Sequence, residues 1–173
     1  TTGCLNTVVG TGGLQCNTSG KENVVMGLQA MRFNQTGDCN TAIGRSALCT
    51  NTTGATNVAV GFNSMKSNTT AGGNTAIGKD SLCVNQTGGF TVAVGASALR
   101  NNTAASNTAV GADAMFGNSS GANNVAVGKF AMNCNTTGTE NVAVGSGALD
   151  SNTTAGCNTS IGHGYMGDNT EGA

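Results

Sequence analysis

The stretch "NTAIGRSALCTNTTGAT", residues 40–56, decides the fold of this chain. It holds no acid–base pair, no cluster of metal-binding side chains and no phosphate loop. It recurs instead. The Gly that closes its "NTAIG" element stands at Gly10, Gly27, Gly44, Gly61, Gly78, Gly95, Gly111, Gly128, Gly145 and Gly162. Every interval is 17 residues except one of 16, between Gly95 and Gly111. A period of this size, held over ten copies, marks a solenoid. One unit cannot bury its apolar side alone, but stacked neighbours cover one another.

Composition agrees. The chain has 173 residues with 28 Gly, no Pro, no Trp, one Tyr and five Phe. Aromatic side chains supply much of an ordinary core, so a thick globular interior is not expected. Charged residues make up 9% and the net charge is −1, which with the strict period argues against disorder. The seven basic residues are scattered singly, so the sequence predicts no nucleic-acid surface and no anionic-membrane patch. No apolar run approaches the ~20 residues of a membrane span. Residues 1–173 read as one solenoid domain. The first residue is Thr and no signal peptide is visible, which reads as a processed or excised segment.

Each phase of the repeat has its own rule. Before the marker Gly stands Val, Ile or Met, and two residues earlier Thr or Val, as in Thr41–Ile43 and Val58–Val60. β-branched residues two apart predict a short strand. The larger side chains are expected inside. The small residue between them then forms an outward packing face of Ala42, Ala59, Ala76, Ala93, Ala109, Ala126 and Ala143. Four residues after the marker comes Leu or Met in every copy, from Leu14 to Met166, as a second inward row. A strand or one short helical turn would both serve there, because Ala and Leu favour helix but few residues are available. The "NTTG" that follows is turn chemistry. The shorter interval falls in "ALRNNT", where the sixth coil lacks a residue before Asn101. At ~4.8 Å per stacked strand, ten coils predict a parallel β-solenoid about 48 Å long with a thin apolar core.

The "N-x-A-[IV]-G" element, repeated through "NTAIG" and "NVAVG", resembles the head repeats of YadA-like trimeric autotransporter adhesins and related repeats of phage tail fibres and microbial surface proteins. That resemblance implies a left-handed parallel β-roll, often trimeric, that adheres to host surfaces or matrix. The repeat here is longer, and heptads are absent.

Two features of the corners suggest chemistry. Asn-x-Ser/Thr, the N-glycosylation acceptor, occurs in nine of ten corners: Asn17, Asn34, Asn51, Asn68, Asn85, Asn101, Asn118, Asn135 and Asn152. The tenth, Asn169, lacks the hydroxyl residue. Either the Thr ties the turn, or each coil carries a glycan on an outward Asn. The second Asn row, which opens the strands and is broken only by Thr91, reads as a hydrogen-bonding ladder. Seven cysteines flank the corners without a Cys-x-x-Cys pair, which disfavours a metal site. Cys4 with Cys16, and Cys39 with Cys49, are placed to staple across a coil in an oxidising, extracellular setting. The only His, His163, has no catalytic companion.

The sequence therefore predicts no enzyme, no metal and no cofactor other than N-linked glycans. It predicts an extracellular fibre or adhesin segment at a cell or virion surface, partnered by itself as filament or trimer, or by a host-surface or matrix ligand. The chain starts and stops just after a corner Asn, so head-to-tail stacking would continue the ladder. The alternatives are an ice-binding solenoid and a sugar- or matrix-binding module. The ice reading is weakened by the expectation that the strand Thr row faces inward.

Overall fold

The structure, a computed structural model, describes residues 2–164. Met166 of the Leu/Met row and Asn169 of the last corner lie outside them. Ten three-residue strands follow one another: β1 (Thr7–Val9), β2 (Val24–Met26), β3 (Thr41–Ile43), β4 (Val58–Val60), β5 (Thr75–Ile77), β6 (Val92–Val94), β7 (Thr108–Val110), β8 (Val125–Val127), β9 (Val142–Val144) and β10 (Thr159–Ile161). They form one parallel sheet in chain order. Each strand pairs with the same phase of the next, so Thr41, Ala42 and Ile43 lie against Val58, Ala59 and Val60. The register passes intact through the short coil, where Ala93 pairs with Ala109. The fold is a parallel β-solenoid, and the described residues contain no helix.

The segment after the marker Gly is neither strand nor helical turn. Ser46 and Leu48 sit at φ 58° and 50°, and the same phases are left-handed in coil after coil. Left-handed residues between right-handed ones make two linked turns. Ala47 N–H donates to Gly44 O at 3.3 Å, and Asn51 N–H to Leu48 O at 3.1 Å. Alternate peptides then point along the stack in opposite senses. Ser46 N–H donates to Leu28 O of the preceding coil at 2.9 Å, and Leu48 N–H to Ser64 O of the following coil at 3.0 Å. Backbone bonding between coils is thus kept outside the sheet. The marker Gly is obligatory: Gly27 has φ 135°, and a Cβ there would lie 2.6 Å from Gly44 O.

The interior corrects one expectation. Ala42, Ala59, Ala76, Ala93, Ala109, Ala126 and Ala143 face inward, each with 0% exposure. The flanking Thr, Val and Ile face out. The reason is the width of the lumen. Its filling is the Leu/Met column, the strand Ala column, and a third column of Ala30, Ala47, Ala98, Ala114, Ala131 and Ala148. Small residues opposite large ones give a close-packed single layer. Two serines of the third column are satisfied: Ser64 Oγ donates to Ala76 O at 2.9 Å and Ser81 Oγ to Gly78 O at 3.0 Å.

The short coil is corrected too. Asn102, not Asn101, occupies the buried corner, three residues after Leu99 as Asn51 is after Leu48. The missing residue lies beyond it. Asn102 Nδ2 reaches the carbonyl two residues on, Ala104 O, at 2.7 Å, where other corners reach three residues on.

Candidate functional site

The corners are closed by an asparagine clasp. Within one coil, the Asn before the strand and the Asn of the turn donate to the same carbonyl. Asn40 Nδ2 and Asn51 Nδ2 both reach Gly54 O at 2.9 Å. Asn124 and Asn135 converge likewise on Gly138 O at 2.8 and 3.1 Å. Between coils the rows run as ladders. Asn51 Nδ2 donates to Asn34 Oδ1 and Asn68 Nδ2 to Asn51 Oδ1, both at 2.8 Å. In the other row the backbone N–H of Asn57 donates to Asn40 Oδ1 at 2.9 Å. At the exception, Thr91 N–H still donates to Asn74 Oδ1 at 2.9 Å.

This geometry corrects the sequon reading. Asn34, Asn51, Asn68, Asn85, Asn118, Asn135 and Asn152 have 0% exposure, and Asn17 is half-buried at the first corner. Their amide nitrogens donate to protein oxygens, so they do not point outward as glycan attachment requires. Asn101 is half-exposed, but it stands outside the corner row. The hydroxyl residues divide the work. The residue after the Asn bonds the next coil, as Thr52 Oγ1 does to Thr69 O at 3.0 Å. The sequon's third residue, such as Thr53, Thr70 or Thr137, is exposed.

The proposed staples are not formed. Cys4, Cys16, Cys39 and Cys49 are free thiols, and Cys49 is buried. Cys39 Sγ donates to Glu22 Oε2 at 3.4 Å, and Cys157 repeats this with Glu140 at 3.4 Å. The carboxylate hydrogen bond, with repulsion of the thiolate, raises both thiol pKa values. Burial pushes the Cys49 and Cys83 thiols up. Among the described residues no group of three or more His, Cys, Asp or Glu could hold a metal.

The surface that stands out is the outer face of the sheet. Two columns cover it. One runs Thr7, Val24, Thr41, Val58, Thr75 and on to Thr159; the other runs Val9, Met26, Ile43, Val60, Ile77 and on to Ile161. Met26 is 47% exposed, Ile77 40%, and Val110 and Val127 37% each. The ten strands carry no charged residue. In-register pairing with one residue per column per coil makes the face regular, at ~4.8 Å per coil. Exposed aliphatic side chains are ordinary when single and informative when contiguous. Sequence reasoning placed these residues inside. The signal that could have turned them round is the size of the middle residue: Ala, conspicuously small for an exposed strand position. Comparisons with family models, with curated proteins and with solved structures returned no match.

Proposed function

We propose that the chain is a structural rod, an extracellular fibre or adhesin segment, that associates with copies of itself through the outer sheet face. The observation that carries this reading is the continuous uncharged double column of Val, Ile, Met and Thr across all ten strands. Burying such a strip against an identical one removes apolar surface from water without stranding a charge. The repeat sets the same pitch in every copy, so two strips match along their length. The adhesin-like repeat element supports a binding or structural role.

The test is sedimentation velocity on the purified chain and on the variant Ile43→Lys/Ile77→Lys/Val110→Lys. The three side chains point outward, so the fold is retained. The wild type is expected as a trimer or larger assembly and the variant as a monomer. A wild-type monomer at tens of micromolar, on the order of the weakest specific interfaces, would remove the proposal.

One observation favours a second reading. The strand Thr residues Thr41, Thr75 and Thr108 face outward in register, contrary to the expectation that weakened ice binding. A flat array of hydroxyls and methyls at constant pitch is a surface on which ordered water can be held. A monomer that shows thermal hysteresis, abolished by the same triple variant, would select ice binding over assembly.

A further inference from the structure

The basic residues, separate in sequence, come together in the solenoid. Arg32, Lys66 and Arg100 occupy one phase, five residues after the marker Gly, in alternate coils. Arg45 and Lys79 occupy another, one residue after it, in the coils between. The backbone ladder holds both columns in register: Thr50 N–H donates to Lys66 O at 3.1 Å and Asn63 N–H to Arg45 O at 3.0 Å. Cys49 lies between Arg32 and Lys66 in the same column; burial raises its thiol pKa, and the two cations oppose that rise without cancelling it. Both phases share one face of the rod, because a single depression farther along is lined by Asn133 and Asp150 of the first column and Ser146 and His163 of the second. Over the second to sixth coils this face carries five cations and one carboxylate, Asp80, which sits 3.9 Å from Lys79.

We propose that this stripe binds a linear acidic polysaccharide, carboxylated or sulfated, laid along the rod axis. Each cation column repeats every two coils, ~9.6 Å. Cys49, Cys83 and Phe62 fill the intervening places. A chain that alternates charged and neutral sugars presents the matching pattern. A nucleic acid does not: it carries a phosphate at every nucleotide, ~3.4 Å apart along a duplex strand, and single strands need open aromatic faces for base stacking. Here the aromatic faces are taken. Arg32 lies over Phe33 at 5.0 Å, Arg45 over Phe62 at 5.8 Å and Arg100 over Phe116 at 5.7 Å. Stacking also holds the guanidinium groups extended; Arg32 Nε donates to Gln15 Oε1 at 3.0 Å, which leaves its terminal Nη1/Nη2 edge for a bidentate bond to carboxylate or sulfate. This surface is not the sheet face, so the inference stands apart from the assembly proposal.

The experiment is calorimetric titration of the full chain with hyaluronan, chondroitin sulfate and oligothymidylate at low and high salt. Two charge-matched variants are compared, Arg45→Gln/Lys66→Gln in the stripe and Lys21→Glu away from it, each lowering the net charge by two. Hyaluronan or chondroitin sulfate binds, more weakly as salt rises. The stripe variant loses about tenfold and the other less than about twofold. Binding of hyaluronan assigns the carboxylate as the recognised group, and binding of chondroitin sulfate alone assigns the sulfate. Failure of both polysaccharides, equal losses in the two variants, or tighter binding of oligothymidylate would overturn the proposal. Sedimentation of the same variants is expected to be unchanged, which separates this surface from the assembly face.

Discussion

Replacing Asn51 by Ala cuts the corner ladder at a fully bonded rung. The amide donates to Asn34 Oδ1 at 2.8 Å and to Gly54 O at 2.9 Å, and accepts from Asn68 Nδ2 at 2.8 Å. Gly54 O keeps its bond from Asn40 at 2.9 Å, and Asn68 keeps its bond to Ala71 O at 3.1 Å. Asn34 Oδ1 is left buried without this donor. An orphaned buried acceptor costs about 1–3 kcal/mol, and two further lost hydrogen bonds about 1 kcal/mol each. The expected loss is therefore about 3–5 kcal/mol. An internal control exists. Asn85 lies outside the ladder on both sides: Asn68 Oδ1 has no hydrogen-bond partner, and Asn102 Nδ2 donates to Ala104 O. Asn85 instead bonds its own turn, with Nδ2 to Gly88 O at 2.8 Å and Gly88 N–H to Oδ1 at 3.1 Å. Gly88 O retains Asn74 Nδ2 at 3.0 Å. Asn85→Ala orphans the Gly88 N–H and loses one further bond, about 2–4 kcal/mol, and so should cost about 1 kcal/mol less than Asn51→Ala, since no neighbouring side chain is stripped of a partner. Urea unfolding followed by circular dichroism measures both, with the m-value checked for loss of cooperativity. Equal losses, or a loss below about 1 kcal/mol for Asn51→Ala, would refute the claim that the ladder stabilises the stack.

Other expectations follow from the same coils. Ala76→Val overfills the single-layer lumen and should cost about 1–3 kcal/mol, whereas Ile77→Thr on the outer face should change stability by less than about 1 kcal/mol; the opposite order in urea would restore the inward placement of Ile77. Gly27→Ala forces a side chain to φ 135° against the Gly44 carbonyl, and a cost of about 3 kcal/mol or more is expected as a lowered urea midpoint. Ser97, held at φ 56° in a phase that Gly12 and Gly147 share, should gain about 1 kcal/mol on Ser97→Gly, read as a raised midpoint. Glu22→Gln removes the carboxylate that accepts from Cys39 Sγ, so the thiol pKa falls and more thiolate is present at a given pH. Iodoacetamide should then label Cys39 faster at pH ~8, as peptide mass spectrometry would show, and an unchanged rate would deny the pairing.

Much of this molecule could be read from spacing. A fixed period dictates that like phases stack, and the strands pair with the displacement of the repeat. The same arithmetic held the basic stripe, since Arg32, Lys66 and Arg100 are 34 residues apart in turn, as are Arg45 and Lys79. It also held the true corner of the short coil, since Leu-x-x-Asn selects Asn102 over Asn101. Other features left no such mark. In a three-residue strand, one inward position and two outward ones, or the reverse, give the same alternation. "N-T-T" looks alike whether its Asn caps a turn or accepts a glycan.

The sequence by itself thus determined the stack, its direction and its register, because these depend only on which residues recur at which interval. Tertiary structure decided which side of each strand is wet, a choice that alternation leaves open and only the small middle residue hints at. A 17-residue loop of chain closes around a lumen that one Leu or Met and two small residues fill, so β-branched residues are excluded on volume, save Val25, which has Gly13 beside it. It decided the asparagines for a related reason. The closed corner buries backbone carbonyls that water cannot reach, and the amides turn inward to satisfy them.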